Sequence, residues 1–194
     1  MGPASDRAGM IVSVSTATAP LTIEQFAQLP EAETQCCELV QGEIVPKGNA
    51  ASGHEVVKAN FIDDLTAYNR QHPIGKVFSE TAYALRPSDA RMPDVSLLLA
   101  HRLPPPNPTK LFQGTPELVV EVVSSETAAQ LESKVTLYLE TGARAVWVAF
   151  PEQHTIWQHR SDGTVHRLKE GDYLEEPDLL PGFRVPVSRF FEGT

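Results

Sequence analysis

Residues 116–150 read PELVVEVVSSETAAQLESKVTLYLETGARAVWVAF, and this stretch decides the fold. Its opening run, residues 118–123, is apolar, rich in β-branched side chains and of the length of a buried strand. Ser124 and Ser125 offer N-caps for a helix running to Thr141. Glu126 then falls in the first turn, where the helix dipole favours an anion, and Gly142 is placed to cap the far end. A second apolar strand follows at residues 145–150. Strand, helix and strand at this spacing predict a right-handed crossover between parallel strands.

Two residues do not belong to that plan. Glu121 lies inside the buried run, where a carboxylate is costly unless it is paired, protonated or bound to a metal. On the helix, Glu132, Ser133, Thr136 and Glu140 form the polar arc, and Lys134 falls outside it beside Leu131, Leu137 and Tyr138. A buried acid followed by a base near an apolar face reads equally as a structural ion pair with a snorkelling lysine and as part of a site.

Outward from this unit, the small and polar residues 1–19 are expected to be a disordered leader or tag before a single domain over residues 20–194. Thr22 and Gln25 make a capping-box pattern ahead of Phe26. Residues 37–45, CELVQGEIV, predict two short strands about Gln41-Gly42, with Glu38 and Glu43 as solvated strand residues. Residues 52–69 predict an amphipathic helix with Val56, Val57, Phe61, Leu65 and Tyr68 on its apolar face. His54, in its first turn, reads as a partly exposed polar group, with a site role as the lesser alternative.

Residues 77–86 alternate as one strand containing Glu80. Asp94 follows Pro93 at the mouth of a buried strand, a position from which a carboxylate can face a cleft. The proline-rich segment 101–115 predicts an extended loop, either a rim or plain surface. Beyond residue 150, segments 154–159 and 164–168 predict a hairpin about Ser161-Asp162-Gly163. Pro181-Gly182 reads as a turn before a last short strand.

Composition narrows the function classes. The chain of 194 residues, 41% apolar and 21% charged, fits one soluble globular domain. No apolar run approaches the roughly 20 residues of a membrane span. Cys36 and Cys37 are adjacent and are the only cysteines, so neither a disulfide framework nor zinc spacing is present. A cytoplasmic location is the default. The net charge of −9 disfavours a broad nucleic-acid footprint and leaves room only for a local basic groove. There is no Walker loop and no dinucleotide glycine fingerprint.

Asp94 and Glu121 at a sheet edge could hold a hard divalent cation through oxygen ligands, magnesium above all. Lys134 beside that ion could stabilise charge developing on a phosphoryl group. Pro93-Asp94 followed by Glu121-Val122-Val123 resembles the PD-(D/E)XK nuclease superfamily. Over nearly its whole length the chain resembles the Uma-two family of restriction-endonuclease-like proteins. The resemblance is carried by LTIEQFAQLPE, CELVQGEIV, His54, GKVFSETAYAL, RMPDVSLLL, PELVVEVVSSE, Lys134 with Tyr138, and ETGARAVWVAF.

That resemblance implies an α/β fold with a restriction-endonuclease-like core, its central mixed sheet flanked by helices, with a hairpin added near the C-terminus. It implies a Mg2+-dependent endonuclease acting on DNA, with Mn2+ as a substitute and a homodimeric assembly. Asp94, Glu121 and Lys134 would be catalytic, and the metal ligands would be Asp94, Glu121 and the carbonyl of Val122. The two carboxylates are expected within about 5 Å of one another. Glu80, Glu43 and His54 are further candidates to line the cleft. One departure stands out: the superfamily lysine falls at Val123, and the resemblance implies that Lys134 has taken its role. Two other readings remain, a non-catalytic binding or assembly module and, more weakly, a glycosidase using Asp94 and Glu121 as an acid–base pair.

Overall fold

The computed structural model describes residues 19–48, 51–104 and 111–194. The leader expected at residues 1–19 therefore lies, Ala19 apart, outside the described residues, as do three of the prolines of the loop. In chain order come helices α1 (Ile23–Gln28) and α2 (Glu31–Thr34), strands β1 (Cys37–Val40) and β2 (Glu43–Pro46), and helix α3 (Ser52–Gln71). Strands β3 (Gly75–Ser79), β4 (Tyr83–Arg86), β5 (Asp89–Arg91), β6 (Val95–Leu99), β7 (Phe112–Gln113) and β8 (Leu118–Val122) lead to helix α4 (Ala128–Glu140). Strands β9 (Ala145–Phe150), β10 (Thr155–Arg160), β11 (Val165–Lys169), β12 (Tyr173–Glu176) and β13 (Leu180–Pro186) complete the β structure, followed by a 3-10 turn, Val187–Phe191.

The central sheet runs β11-β10-β9-β8-β6-β3. Strands β8 and β9 are parallel, with Val120 opposite Trp147, and α4 joins them, so the predicted crossover is present. Their apolar residues are continuous because both faces are covered. Leu118, Val120, Val122, Ala145 and Trp147 face α3 through Val57, Phe61 and Leu65, while Val119, Val146 and Val148 face α4 through Val135 and Tyr138. By alternation Glu121 belongs to the α4 face. A smaller sheet, β2-β1-β5-β4-β7, meets that face at Tyr83, whose hydroxyl lies 2.8 Å from Ser96 Oγ.

The hairpin expected after residue 150 is β10 and β11, paired antiparallel, with Ile156 opposite Leu168. A further hairpin, β12 with β13, packs Leu174, Leu180 and Phe183 into the main core, and Pro181-Gly182 lies within β13 rather than in a turn. Helix α4 starts later than Ser124 or Ser125 would allow. Its N-cap is Thr127, whose side chain accepts from Gln130 N–H while Gln130 reaches back to Thr127, and Glu126 precedes the helix. Residues 77–86 are not one strand. The chain breaks at Glu80, in the left-handed region at φ 46°, so β3 joins the central sheet and β4 the smaller one.

Candidate functional site

Antiparallel pairing of β6 with β8 sets Val95 opposite Val120, so the next facing pair is Asp94 and Glu121. Residues facing in this way have Cα atoms about 4.5–5.5 Å apart with side chains on one face. Both carboxylates are only 2% exposed and both line one cleft of about 740 Å³. The cleft also takes residues from β1, the start of α3, β5 and the start of α4. Val122 lines it too, and its N–H donates to Asp94 Oδ2 at 2.8 Å, which ties the two strand ends together.

Glu121 is held from the helix side. Tyr138 Oη donates to its Oε1 at 2.8 Å and Lys134 Nζ to its Oε2 at 3.2 Å. Lys134 donates also to Glu126 Oε1 at 2.8 Å. Burial pushes the Glu121 carboxyl up to about 7, against the opposing pull of Lys134 and helped by the negative charge of Asp94. Lys134 is buried as well, yet Glu121, Glu38 and Glu126 outweigh that cost and hold its ammonium charged well above the ordinary range. The residue that sequence alone left between ion pair and site is thus both paired and on the cleft wall.

Asp94 is held from the other side. His54 Nε2 lies 3.2 Å from Oδ2 and Lys47 Nζ donates to Oδ1 at 2.9 Å. Burial opposes its charge, but these two partners and the Val122 N–H hold the Asp94 carboxyl far below the usual range. Asp94 is therefore an anion, and Glu121 is poised to gain or lose its proton near neutrality.

Of the further candidates, His54 and Glu80 line the cleft and Glu43, exposed on β2, does not. His54 is buried rather than partly exposed, because Asp94 and Glu55 supply partners for both ring nitrogens. Glu38 is not solvated. It is buried against Arg91 and accepts from the Met92 N–H at 2.9 Å. Lys47 has no signal in the sequence, since it follows β2 and reaches Asp94 from a distant part of the chain. Glu126 was legible only as a helix-start acid, and its contact with Lys134 follows from the later start of α4.

Among the described residues no three of the His, Cys, Asp and Glu side chains gather as a metal-binding cluster. The donors at hand are two buried carboxylates with the Val122 main chain beside them. Such a set fits a hard cation that prefers oxygen and keeps several waters, as magnesium does.

The family profile described as "Putative restriction endonuclease", Uma2, matches residues 23–188. No curated protein sequence matches the chain. Among solved structures, a protein described as a putative nuclease belonging to DUF820, from Anabaena variabilis ATCC 29413, has the same fold with a TM-score of 0.79. It is 19% identical, and the match covers 89% of this chain and 98% of that one. Among the described residues no helix is long and apolar enough to cross a membrane. With its profile matched from α1 to the final 3-10 turn, the chain belongs to the Uma2 family, described as putative restriction endonucleases.

Proposed function

We propose that the chain is a magnesium-dependent DNA endonuclease that hydrolyses phosphodiester bonds, with manganese able to substitute. The observation that carries this reading is the facing pair of buried carboxylates, Asp94 and Glu121, on a cleft that also presents the Lys134 ammonium. Asp94, Glu121 and the Val122 carbonyl would hold the ion. Bound there, magnesium supplies Lewis acidity toward a phosphoryl oxygen and acidifies a coordinated water.

The protein's own groups have separable tasks. Val122 N–H and His54 fix Asp94 as an oriented anion. Tyr138 orients Glu121 by donating to its Oε1, which leaves the carboxylate fixed as a ligand. Lys134 keeps a permanent positive charge on the cleft wall, where it can stabilise charge developing on the phosphate. We further propose that residues 20–194 act as a single domain and that two chains associate, which suits cutting both strands of a duplex.

The deciding experiment is cleavage of supercoiled, linear and single-stranded DNA with magnesium, with manganese and with EDTA. Lys134→Ala should fold normally and cut about 10²-fold more slowly, the scale of losing one transition-state donor. Wild-type rates in that variant would make Lys134 an ion-pair partner only. A second reading, a non-catalytic binding module, is favoured by the acid in the cleft: Glu38, Glu55, Glu80 and Glu126 line it beside the central pair. A wild-type protein inert with both metals would select that reading.

A further inference from the structure

Three groups lie against the Asp94 carboxylate closely enough to decide which of its oxygens a metal could take. Asp94 Oδ2 has the Val122 N–H at 2.8 Å and His54 Nε2 at 3.2 Å. Asp94 Oδ1 has Lys47 Nζ at 2.9 Å. The same ammonium donates to the Met92 carbonyl at 2.9 Å, and the Lys47 main-chain N–H donates to the Cys36 carbonyl at 2.8 Å. Lys47 is thus seated at both its ends. A cation approaching Asp94 finds Oδ2 taken by two donors and Oδ1 taken by one displaceable ammonium.

The two lysines of the site are not equivalent. Lys134 bonds two carboxylates, so losing Glu121 to another cation would leave it Glu126. Lys47 has one carboxylate and one carbonyl, and its side chain is already 20% exposed against 3% for that of Asp94. It can move outward into the open part of the cleft once another cation has taken its place at Asp94. Asp94 cannot be left without one, because an unpaired buried carboxylate is strongly destabilising.

Resting on the metal-dependent reading above, we propose that Lys47 is the resident counter-cation of this site. A divalent ion binds Asp94 by exchange with the Lys47 ammonium, so that this lysine sets the affinity for metal. Without metal it neutralises the Asp94 carboxylate. With metal it swings to the solvent side, and its charge stays in the cleft.

The test is calorimetric titration of the full chain with manganese(II), comparing wild type, Lys47→Met, Lys47→Gln, Lys47→Arg and a Glu121→Gln control. Lys47→Met and Lys47→Gln should bind manganese roughly two- to fivefold tighter, since no partly exposed ion pair has to be broken first. Lys47→Arg should bind no tighter than wild type, and Glu121→Gln should bind far more weakly. In EDTA the Met and Gln variants should melt below wild type, and manganese should close that gap. A second readout is taken on the wild type, with Lys47→Arg, the most conservative variant, used only for assignment: the Lys47 ammonium resonance should shift on adding magnesium. If wild type binds manganese, Glu121→Gln does not, and the Met and Gln variants bind no tighter, the exchange is refuted while the metal site stands. An ammonium resonance unmoved by magnesium has the same meaning. If no form of the chain binds manganese, the metal-dependent reading itself falls and this proposal falls with it.

Discussion

Glu121 and His54 both carry raised pKa values that make the fold lose stability as pH rises, and Glu121 can be isolated by substitution. Its carboxyl is pushed from 4.5 up to about 7, chiefly by burial. A raised acid contributes stability that is complete below pH 4.5, where it is protonated in both states. That contribution is lost as pH rises to 7, because the unfolded chain ionises first. Asp94 has the opposite sign, stabilising above its ordinary 3.8 and losing that stability below it, so its effect lies beneath the window. Between pH 4.5 and pH 8 in EDTA, wild type should therefore lose about 3 kcal/mol relative to Glu121→Gln. Urea unfolding at the two pH values checks this, and parallel profiles would mean that Lys134 keeps Glu121 ionised throughout. That Asp94, Glu121 and Lys134 line one cleft was foreshadowed in the sequence because each breaks a local pattern: an acid after proline, an acid in an apolar run, a base off the polar arc. Lys47 and Glu38 break none. Each is polar in a short strand or just beyond one, and only the pairing of β1 with β5 reveals what it meets.

At the scale of elements, the crossover of β8, α4 and β9 was legible because strands buried on both faces leave unbroken apolar runs. The start of α4 was misplaced where three residues could each serve as a cap. Ser124, Ser125 and Thr127 all have a suitable hydroxyl, but only Thr127 has a glutamine three residues on. Thr127→Ala should cost about 1 kcal/mol of stability by urea titration, the usual value of an N-cap. It should leave manganese affinity nearly unchanged, since Lys134 lies two turns into the helix. A loss of affinity would show that the cap also positions Glu126 or Lys134. The division of residues 77–86 between two sheets was not legible, because alternation is the same in either sheet. The φ of 46° at Glu80 that makes the switch leaves no mark in the sequence.

For the whole molecule, the decisive quantities are charge and assembly. With 25 acidic against 16 basic residues, attraction to a polyanion cannot come from the surface at large. In the proposed reading it comes from the cleft, where bound divalent ions would offset the carboxylates that line it. The proposed association of two chains is checked by light scattering at micromolar concentration. A mass of twice the 21.2 kDa chain is expected, and a clean single-chain mass would exclude a two-fold enzyme.

The packing of β9 has an optical consequence. Trp147 is fully buried, opposite Val120 and between Phe61 and Phe183, while Trp157 on the next strand is 39% exposed. The two indoles of the chain therefore sit in contrasting surroundings, one dry and one partly wet, and their emission should separate into a blue and a red component. A soluble quencher should reach only the red one. The blue component comes from a ring whose cross-strand neighbour, Val120, directly precedes Glu121, so its wavelength gauges how tightly the sheet is closed beneath the two carboxylates.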